Sequence, residues 1–177
     1  MKVVVITGSP HKQGTSALLA DKFIEGAKEA GHEIYRFDAA FSNVLGCIAC
    51  ETCHTTDKGC VFKDSMEELN PYLLKADAVV FVSPTYYFGM SSQIRAVIDR
   101  FYANNSSLQV EKKTALLMTC ADDTKEAAAG AVKSFEIIAD YLKWENFGVI
   151  VAYDCGVRED IEKTDFPKQA YELGKSL

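Results

Sequence analysis

Four of the six cysteines in this 177-residue chain lie close together, with two residues between neighbours for the first three. A compact set of four thiols is typical of an iron–sulfur cluster, whose iron atoms are held by cysteine thiolates. The pattern fits zinc less well, because zinc sites usually use two separated cysteine pairs. Free thiols and a reversible dithiol pair are the remaining alternatives. The cysteines concerned are Cys47, Cys50, Cys53 and Cys60.

A second chemical feature opens the chain. The apolar run at residues 3–6 predicts a buried strand, and Gly14 leads into an amphipathic helical segment. Free N–H groups at a helix start, together with the hydroxyls of Ser9, Thr15 and Ser16, predict a phosphate site. The glycine spacing matches neither a P-loop nor a dinucleotide fingerprint. An ordinary strand-to-helix turn is the alternative.

A third feature is the aromatic segment at residues 83–89, where Tyr86, Tyr87 and Phe88 stand in a row before Gly89. A flat ring ligand could stack on these side chains, and a glycine allows close approach of the backbone. Packing of the aromatic segment against a partner subunit is the alternative, and it is compatible with the first.

The remaining composition narrows the function classes. The chain has only three histidines, and none lies in a recognisable nucleophile–base arrangement, so a cofactor is expected to carry the chemistry. The net charge of −6 disfavours a nucleic-acid partner. No apolar stretch is long enough to span a membrane and no signal-peptide layout is present, so we expect a cytoplasmic protein. In that compartment, clustered cysteines favour metal or redox chemistry over disulfides.

Apolar strand patterns alternate with helical patterns along the chain. Mostly apolar strands argue for a parallel sheet covered by helices on both faces, which predicts one doubly wound α/β domain over residues 1–177. The Ser65–Glu68 pair has the form of a capping box, and Pro71 either kinks that helix or starts it. The stretch at 38–63 has no period of its own, which is often a sign of function. Predicted strands lie at 3–6, 33–37, 78–82, 114–119 and 147–152, with helices at 17–30, after 65, at 90–101, at 131–142 and from 165.

Residues 3–16 and 83–90, followed by the segment 94–101, together resemble the flavodoxin-like NADPH-dependent FMN reductase family. The resemblance implies a three-layer α/β/α fold with FMN on a five-stranded parallel sheet. It places the FMN phosphate and the isoalloxazine ring in two different loops. His11 stands where the family commonly has arginine. The implied phosphate residues are Ser9, His11, Gly14, Thr15 and Ser16, and the implied ring residues are Pro84, Thr85, Tyr86, Tyr87, Phe88 and Gly89.

The four clustered cysteines are similar to those of the iron–sulfur flavoprotein branch of this family. That likeness implies a 4Fe–4S cluster near the flavin, although related reductases keep similar cysteines without one. Members of the family commonly form dimers or tetramers, so we expect a homodimer or homotetramer.

Together these observations predict an FMN-dependent oxidoreductase that takes a hydride or electrons from NAD(P)H. The acceptor is either a small molecule or a protein. A flavodoxin-type electron carrier is one alternative, and a cysteine-based metal-binding or redox-sensing protein without flavin is the other. No side chain is assigned a catalytic role.

Overall fold

The computed structural model describes residues 1–177 and contains six strands and eight α-helices. The strands are β1 (Lys2–Thr7), β2 (Glu33–Asp38), β3 (Ala78–Tyr86), β4 (Gly89–Met90), β5 (Lys112–Thr119) and β6 (Trp144–Ala152). The helices are α1 (Thr15–Glu29), α2 (Thr52–Thr55), α3 (Met66–Lys75), α4 (Ser92–Asp99), α5 (Asn105–Leu108), α6 (Glu126–Leu142), α7 (Arg158–Glu162) and α8 (Phe166–Lys175). Two short 3-10 helices lie at Ala39–Phe41 and Arg100–Asn104.

Five strands form one parallel sheet in the order β2-β1-β3-β5-β6, and the short β4 pairs antiparallel with the end of β3. The interior strand β1 is bonded on both sides, with Val3 opposite Ile34 of β2 and Ala78 of β3. The strand order reverses direction at β1 and β3, as in other doubly wound sheets. The predicted flavodoxin-like α/β fold is therefore confirmed.

Helices cover both faces of the sheet. Because neighbouring strand residues point to opposite faces, Val3 and Val5 belong to one buried cluster, with Phe23 of α1, and Val4 and Ile6 belong to the other. Helices α1 and α8 lie on the first face, and α3, α4 and α6 lie on the second. None of the helices combines the length and hydrophobicity that a membrane span requires.

Three local predictions differ from the structure. Strand β3 continues through Tyr86 into a hairpin with β4, where the sequence predicted a loop. Strand β6 begins at Trp144, before the apolar run at 147, because Trp144 pairs with Lys112 and its indole N–H donates to the Leu108 carbonyl at 2.8 Å.

The start of α3 also differs from its predicted form. The Ser65 hydroxyl accepts a hydrogen bond from the Asn43 N–H at 3.1 Å, so the capping box does not form. Asp64 instead accepts the Met66 N–H at 3.1 Å. The helix starts at Met66 and runs through Pro71. The hydrogen bond that Pro71 cannot donate would have gone to Glu67, which is exposed, so water can satisfy that carbonyl.

Candidate functional site

A cavity of about 800 Å³ lies at the carboxyl ends of the parallel strands. Four chain segments line it, each at or after the carboxyl end of a different strand: 9–15 after β1, 84–86 at the end of β3, 119–121 at the end of β5 and 155–158 after β6. This edge of the sheet includes the point where the strand order reverses, between β1 and β3. Ligands of doubly wound proteins bind at that place.

The loop after β1 is shaped by its own hydrogen bonds. The Ser9 hydroxyl accepts the His11 N–H at 3.1 Å, and the Gly14 N–H donates to the His11 carbonyl at 3.1 Å. Gly14 then forms the N-cap of α1 without any side-chain cap. The N–H groups of the first helical turn therefore keep their donor capacity beside the cavity, as an anion site requires.

Gly8 holds this loop against the start of α4. A Cβ atom added at Gly8 would lie 2.2 Å from the Ser91 Oγ and 2.6 Å from the Ile94 Cγ1. Ser91 in turn caps α4, and its N–H donates to the Ser83 hydroxyl at 2.9 Å. The absence of a side chain at position 8 thus lets the loops after β1 and β3 pack against one another.

Threonines line the cavity from three of its segments. The Thr15 and Thr119 Oγ1 atoms lie 2.9 Å apart and share a hydrogen bond across the cavity floor. The Thr85 Oγ1 is buried and has no hydrogen-bond partner in the protein. Buried polar atoms are almost always paired, so this unpaired hydroxyl, in a residue that lines the cavity, is an exception.

The charge around the cavity favours an anion. His11, Lys12 and Arg158 line it, and no acidic side chain does. The Arg158 Nη1 lies 3.4 Å from the Gln13 carbonyl, so the arginine reaches the loop after β1 from the other side of the cavity. Its Nε donates to Glu162 at 2.7 Å, which holds the guanidinium in place.

The structure brings most of the predicted cofactor residues together. Ser16 is an exception, because its side chain is buried within α1, and Tyr87, Phe88 and Gly89 lie at the hairpin tip outside the cavity wall. The predicted residues that line the cavity are Ser9, His11, Gly14, Thr15, Pro84, Thr85 and Tyr86. The cavity lining also includes six residues that were not among the predicted cofactor residues: Thr119, Ala121, Cys155, Gly156, Val157 and Arg158. Their position directly after two predicted strands was the signal that could have found them.

The hairpin tip after β3 carries two aromatic residues in an unusual backbone conformation. Tyr86 pairs with Gly89, so the turn consists of Tyr87 and Phe88, whose φ angles are +44° and +62°. Two-residue hairpin turns of this kind favour Asn and Gly, because other side chains are strained at positive φ. Tyr87 is 100% exposed and Phe88 is 63% exposed. The turn therefore presents aromatic surface at the cavity rim at a cost in backbone strain.

All four clustered cysteines line a second, smaller cavity. Cys47 and Cys50 are exposed, whereas Cys53 and Cys60 are half-buried. The other walls are mostly apolar and include Val61 and Phe62 from the same segment and Ala103 from the second 3-10 helix. No three metal-binding side chains converge on one point in this structure. The four thiols thus share a cavity without yet having the geometry of a metal site.

The thiols in this cavity are not equivalent. Hydrogen bonds from the side chain and backbone of Thr52 lower the pKa of the Cys50 thiol. Burial raises the pKa of the Cys53 thiol. Ala49 and Glu51 adopt positive φ angles of 54° and 58°, which turn the backbone sharply between successive cysteines. His54 points away, and its Nε2 lies 3.0 Å from the Tyr102 carbonyl.

An ion pair joins the two ends of the cysteine-bearing segment. The Arg100 Nη1 donates to the Asp64 carboxylate at 2.6 Å and to the Leu45 carbonyl at 2.9 Å. Both charged side chains are only 3% exposed. Burial raises the pKa of the Asp64 carboxyl, but hydrogen bonds from Arg100 and from the Leu45 and Met66 N–H groups outweigh it and hold the pKa below its ordinary value. We call this Asp64–Arg100–Leu45 contact the neck of the cysteine loop.

A second contact holds the middle of the loop. The Tyr102 hydroxyl donates to the Glu51 carboxylate at 2.9 Å. That bond raises the pKa of Tyr102. The 3-10 helix at Arg100–Asn104 therefore supports the cysteine loop at its ends and at its centre.

Comparisons with known proteins agree with this geometry. The model of the NADPH-dependent FMN reductase family matches residues 1–152. An iron–sulfur flavoprotein of Archaeoglobus fulgidus is 29% identical over 132 residues, which are 73% of this chain and 60% of that protein. An iron–sulfur flavoprotein of Methanocaldococcus jannaschii is 34% identical over 100 residues, which are 56% of this chain and 50% of that protein. The chain thus spans about half to three fifths of the length of these relatives.

One solved structure shows the same fold over nearly the whole chain. The NAD(P)H:quinone oxidoreductase from Methanothermobacter marburgensis superimposes with a TM-score of 0.76, covering 98% of this chain and 94% of that one at 18% identity. The family match covers both the loop after β1 and the cysteine loop. The chain belongs to the NADPH-dependent FMN reductase family.

Proposed function

We propose that this protein is an FMN-dependent oxidoreductase that passes a hydride or electrons from NAD(P)H to an acceptor. The observation that carries the proposal is the cavity at the strand reversal, with an uncapped helix start beside it and no acidic side chain in its lining. The family match and the names of the relatives support FMN as the occupant. FMN, when bound, supplies the hydride chemistry, and the protein supplies binding and orientation.

The residues divide into two groups around such a ligand. The first turn of α1, the Ser9 and Thr15 hydroxyls and the positive charge of Lys12 suit the phosphate. Pro84, Thr85 and Tyr86 line the part of the cavity formed by the end of β3, where the orphaned Thr85 hydroxyl can bond a polar ring atom. Ser16 contributes through its backbone N–H, since its side chain is buried in α1.

We infer that Cys47, Cys50, Cys53 and Cys60 hold an iron–sulfur cluster of the 4Fe–4S type. Four thiols line one cavity whose other walls are mostly apolar, and this is the donor chemistry that such clusters use. A cluster, when bound, supplies one-electron chemistry. The loop must close around the iron atoms, and its two ends are already fixed at the neck.

We further propose that residues 1–177 act as one domain in a cytoplasmic homodimer or homotetramer. The exposed aromatic turn at Tyr87 and Phe88 suits a subunit contact that would also border the flavin. The acceptor is a small molecule or a protein.

The first test is the absorption spectrum of protein purified without oxygen, with flavin, iron and sulfide assayed on the same sample. We expect bound FMN, iron and sulfide in stoichiometric amounts, and bleaching of the flavin by NADPH or NADH. Bound flavin that neither nucleotide bleaches would favour a flavodoxin-type carrier. A chain that binds metal or forms a disulfide but does not bind added FMN would be a cysteine-based protein without flavin.

A variant pair tests the phosphate site directly. Replacing Ser9 by Ala and Thr15 by Val together removes two hydroxyls from the cavity and should weaken FMN binding at least tenfold. Ser107→Ala is the matched control, because that hydroxyl is exposed and lies outside the cavity. Equal FMN affinity in both proteins would contradict the assigned phosphate site.

A further inference from the structure

Arg100 has a hydrogen-bond donor that the neck of the cysteine loop does not use. Its side chain is 3% exposed and lines the cysteine cavity, and the guanidinium carbon lies 5.1 Å from the centre of the Phe62 ring. Nη1 serves Asp64 and Leu45, but the Nε atom is buried without any partner. A buried N–H of a charged group without a partner is costly, so an acceptor is missing beside it.

The cavity itself offers the acceptors that Arg100 lacks. Arg100 is the only basic side chain in its lining, and the one acidic side chain, Glu51, already accepts the Tyr102 hydroxyl. The other polar atoms there include the sulfurs of the four cysteines. Cysteine thiolates that hold iron are anionic, and the site becomes more anionic when it takes up an electron.

We propose that Arg100 donates its Nε–H to the sulfur ligands of the cysteine site and raises the reduction potential of the cluster there. This inference rests on the proposed cluster. Net charge and hydrogen bonds to sulfur are among the factors that set the potential of iron–sulfur centres. A buried cation with a free donor stabilises the reduced, more negative state more than the oxidised one. On this proposal Arg100 acts on the site in two ways, by closing the neck and by donating to the sulfurs.

The test compares four proteins purified without oxygen: wild type, Arg100→Lys, Asp64→Asn and Arg95→Lys. Arg100→Lys keeps the positive charge and can still reach Asp64, but it lacks the Nε donor. Asp64→Asn weakens the neck and keeps Arg100. Arg95→Lys makes the same arginine-to-lysine change on α4, at a half-exposed residue outside the cavity. Circular dichroism and flavin content establish that each variant is folded.

The readouts are iron and sulfide per chain and the midpoint potential of the cluster, followed by electron paramagnetic resonance during a redox titration. We expect Arg100→Lys to lower the potential by about 59 mV, which is a tenfold change in the ratio of reduced to oxidised cluster for one electron. Asp64→Asn removes a negative charge and should leave the potential unchanged or raise it. Arg95→Lys should match wild type.

Each outcome either supports or overturns the donor role proposed for Arg100. A folded, flavin-loaded Arg100→Lys protein that takes up no iron, beside an Asp64→Asn protein that does, also supports the donor role. An unchanged potential in Arg100→Lys overturns the donor role. An equal negative shift, or an equal loss of iron, in Arg100→Lys and Asp64→Asn also overturns it, because both substitutions would then act through the neck alone. A wild-type protein without iron would overturn the cluster assignment and this inference together, and its flavin content would test the FMN assignment separately.

Discussion

Replacing Tyr87 by Asn should make the flavin-free protein more stable and the flavin complex weaker. Tyr87 has a φ angle of +44° and is 100% exposed, so its ring contributes no burial to the flavin-free chain. An L-residue held in the left-handed region costs about 1–2 kcal/mol, and Asn tolerates that region better than most side chains. Tyr87→Asn should therefore raise the free energy of unfolding by about 1 kcal/mol.

The matched control is Tyr87→Ala, which removes the same ring but keeps the strained conformation with an ordinary Cβ. The melting temperature of flavin-free Tyr87→Asn should exceed that of Tyr87→Ala by about 2–4 °C, the shift expected for 1 kcal/mol in a chain of this size. Thermal unfolding followed by circular dichroism at equal chain concentration measures the difference.

The same two variants test the role of the ring. If the aromatic turn borders the flavin, both variants should bind FMN more weakly than wild type and to the same extent, as measured by quenching of FMN fluorescence. Ligand binding adds stability that grows with the ratio of free FMN to its dissociation constant. Excess FMN should therefore raise the melting temperature of wild type more than that of either variant. Equal melting temperatures for the flavin-free Asn and Ala variants would refute the strain argument, and wild-type FMN affinity in both would refute the role of the ring.

Three further predictions follow from single contacts. Thr85→Val should leave the flavin-free stability unchanged or raise it, because a buried hydroxyl without a partner is replaced by a methyl group, and should weaken FMN binding about tenfold in a titration. Gly8→Ala should lower the free energy of unfolding in urea by about 1–3 kcal/mol, because its methyl group would collide with Ser91. The pKa of Asp64 is held below its ordinary value in the folded chain, so its contribution to stability is present above that ordinary value and is lost as the pH falls through the folded pKa. Acid unfolding should show this loss in wild type and not in Asp64→Asn.

The strands of the sheet were predictable because their burial leaves a direct mark on the sequence. Strands covered on both faces are mostly apolar, and the runs at 3–6, 78–82 and 115–118 are apolar at every position. Parallel strands all end at the same edge of the sheet, so the loops that follow them meet there. Seven of the predicted cofactor residues accordingly line one cavity at that edge. The strands and the shared edge of the sheet both depend on patterns that are local in sequence or repeat at regular intervals along the chain.

The features that the sequence analysis missed depend on partners far along the chain. The Ser65 hydroxyl bonds Asn43 instead of capping α3, and the start of β6 is held by the bond from Trp144 to Leu108. The hairpin turn at Tyr87 and Phe88 was not predicted, because neither turn position carries the Asn or Gly that is typical of such turns. No periodicity or motif encodes contacts of this kind, since each is decided by the packing of the finished fold.

The pair formed by Asp64 and Arg100 is best understood from the cysteine loop and not from stability. A buried ion pair costs so much desolvation that apolar residues of similar volume often serve stability equally well. What an apolar pair could not do is bond the Leu45 carbonyl and N–H, which fix one end of the loop beside the other. It also could not place a permanent positive charge in a cavity lined by four thiols. With the proposed cluster in place, the buried charge would have its explanation at the cysteines, because an anionic cluster needs both a fixed loop geometry and a nearby cation.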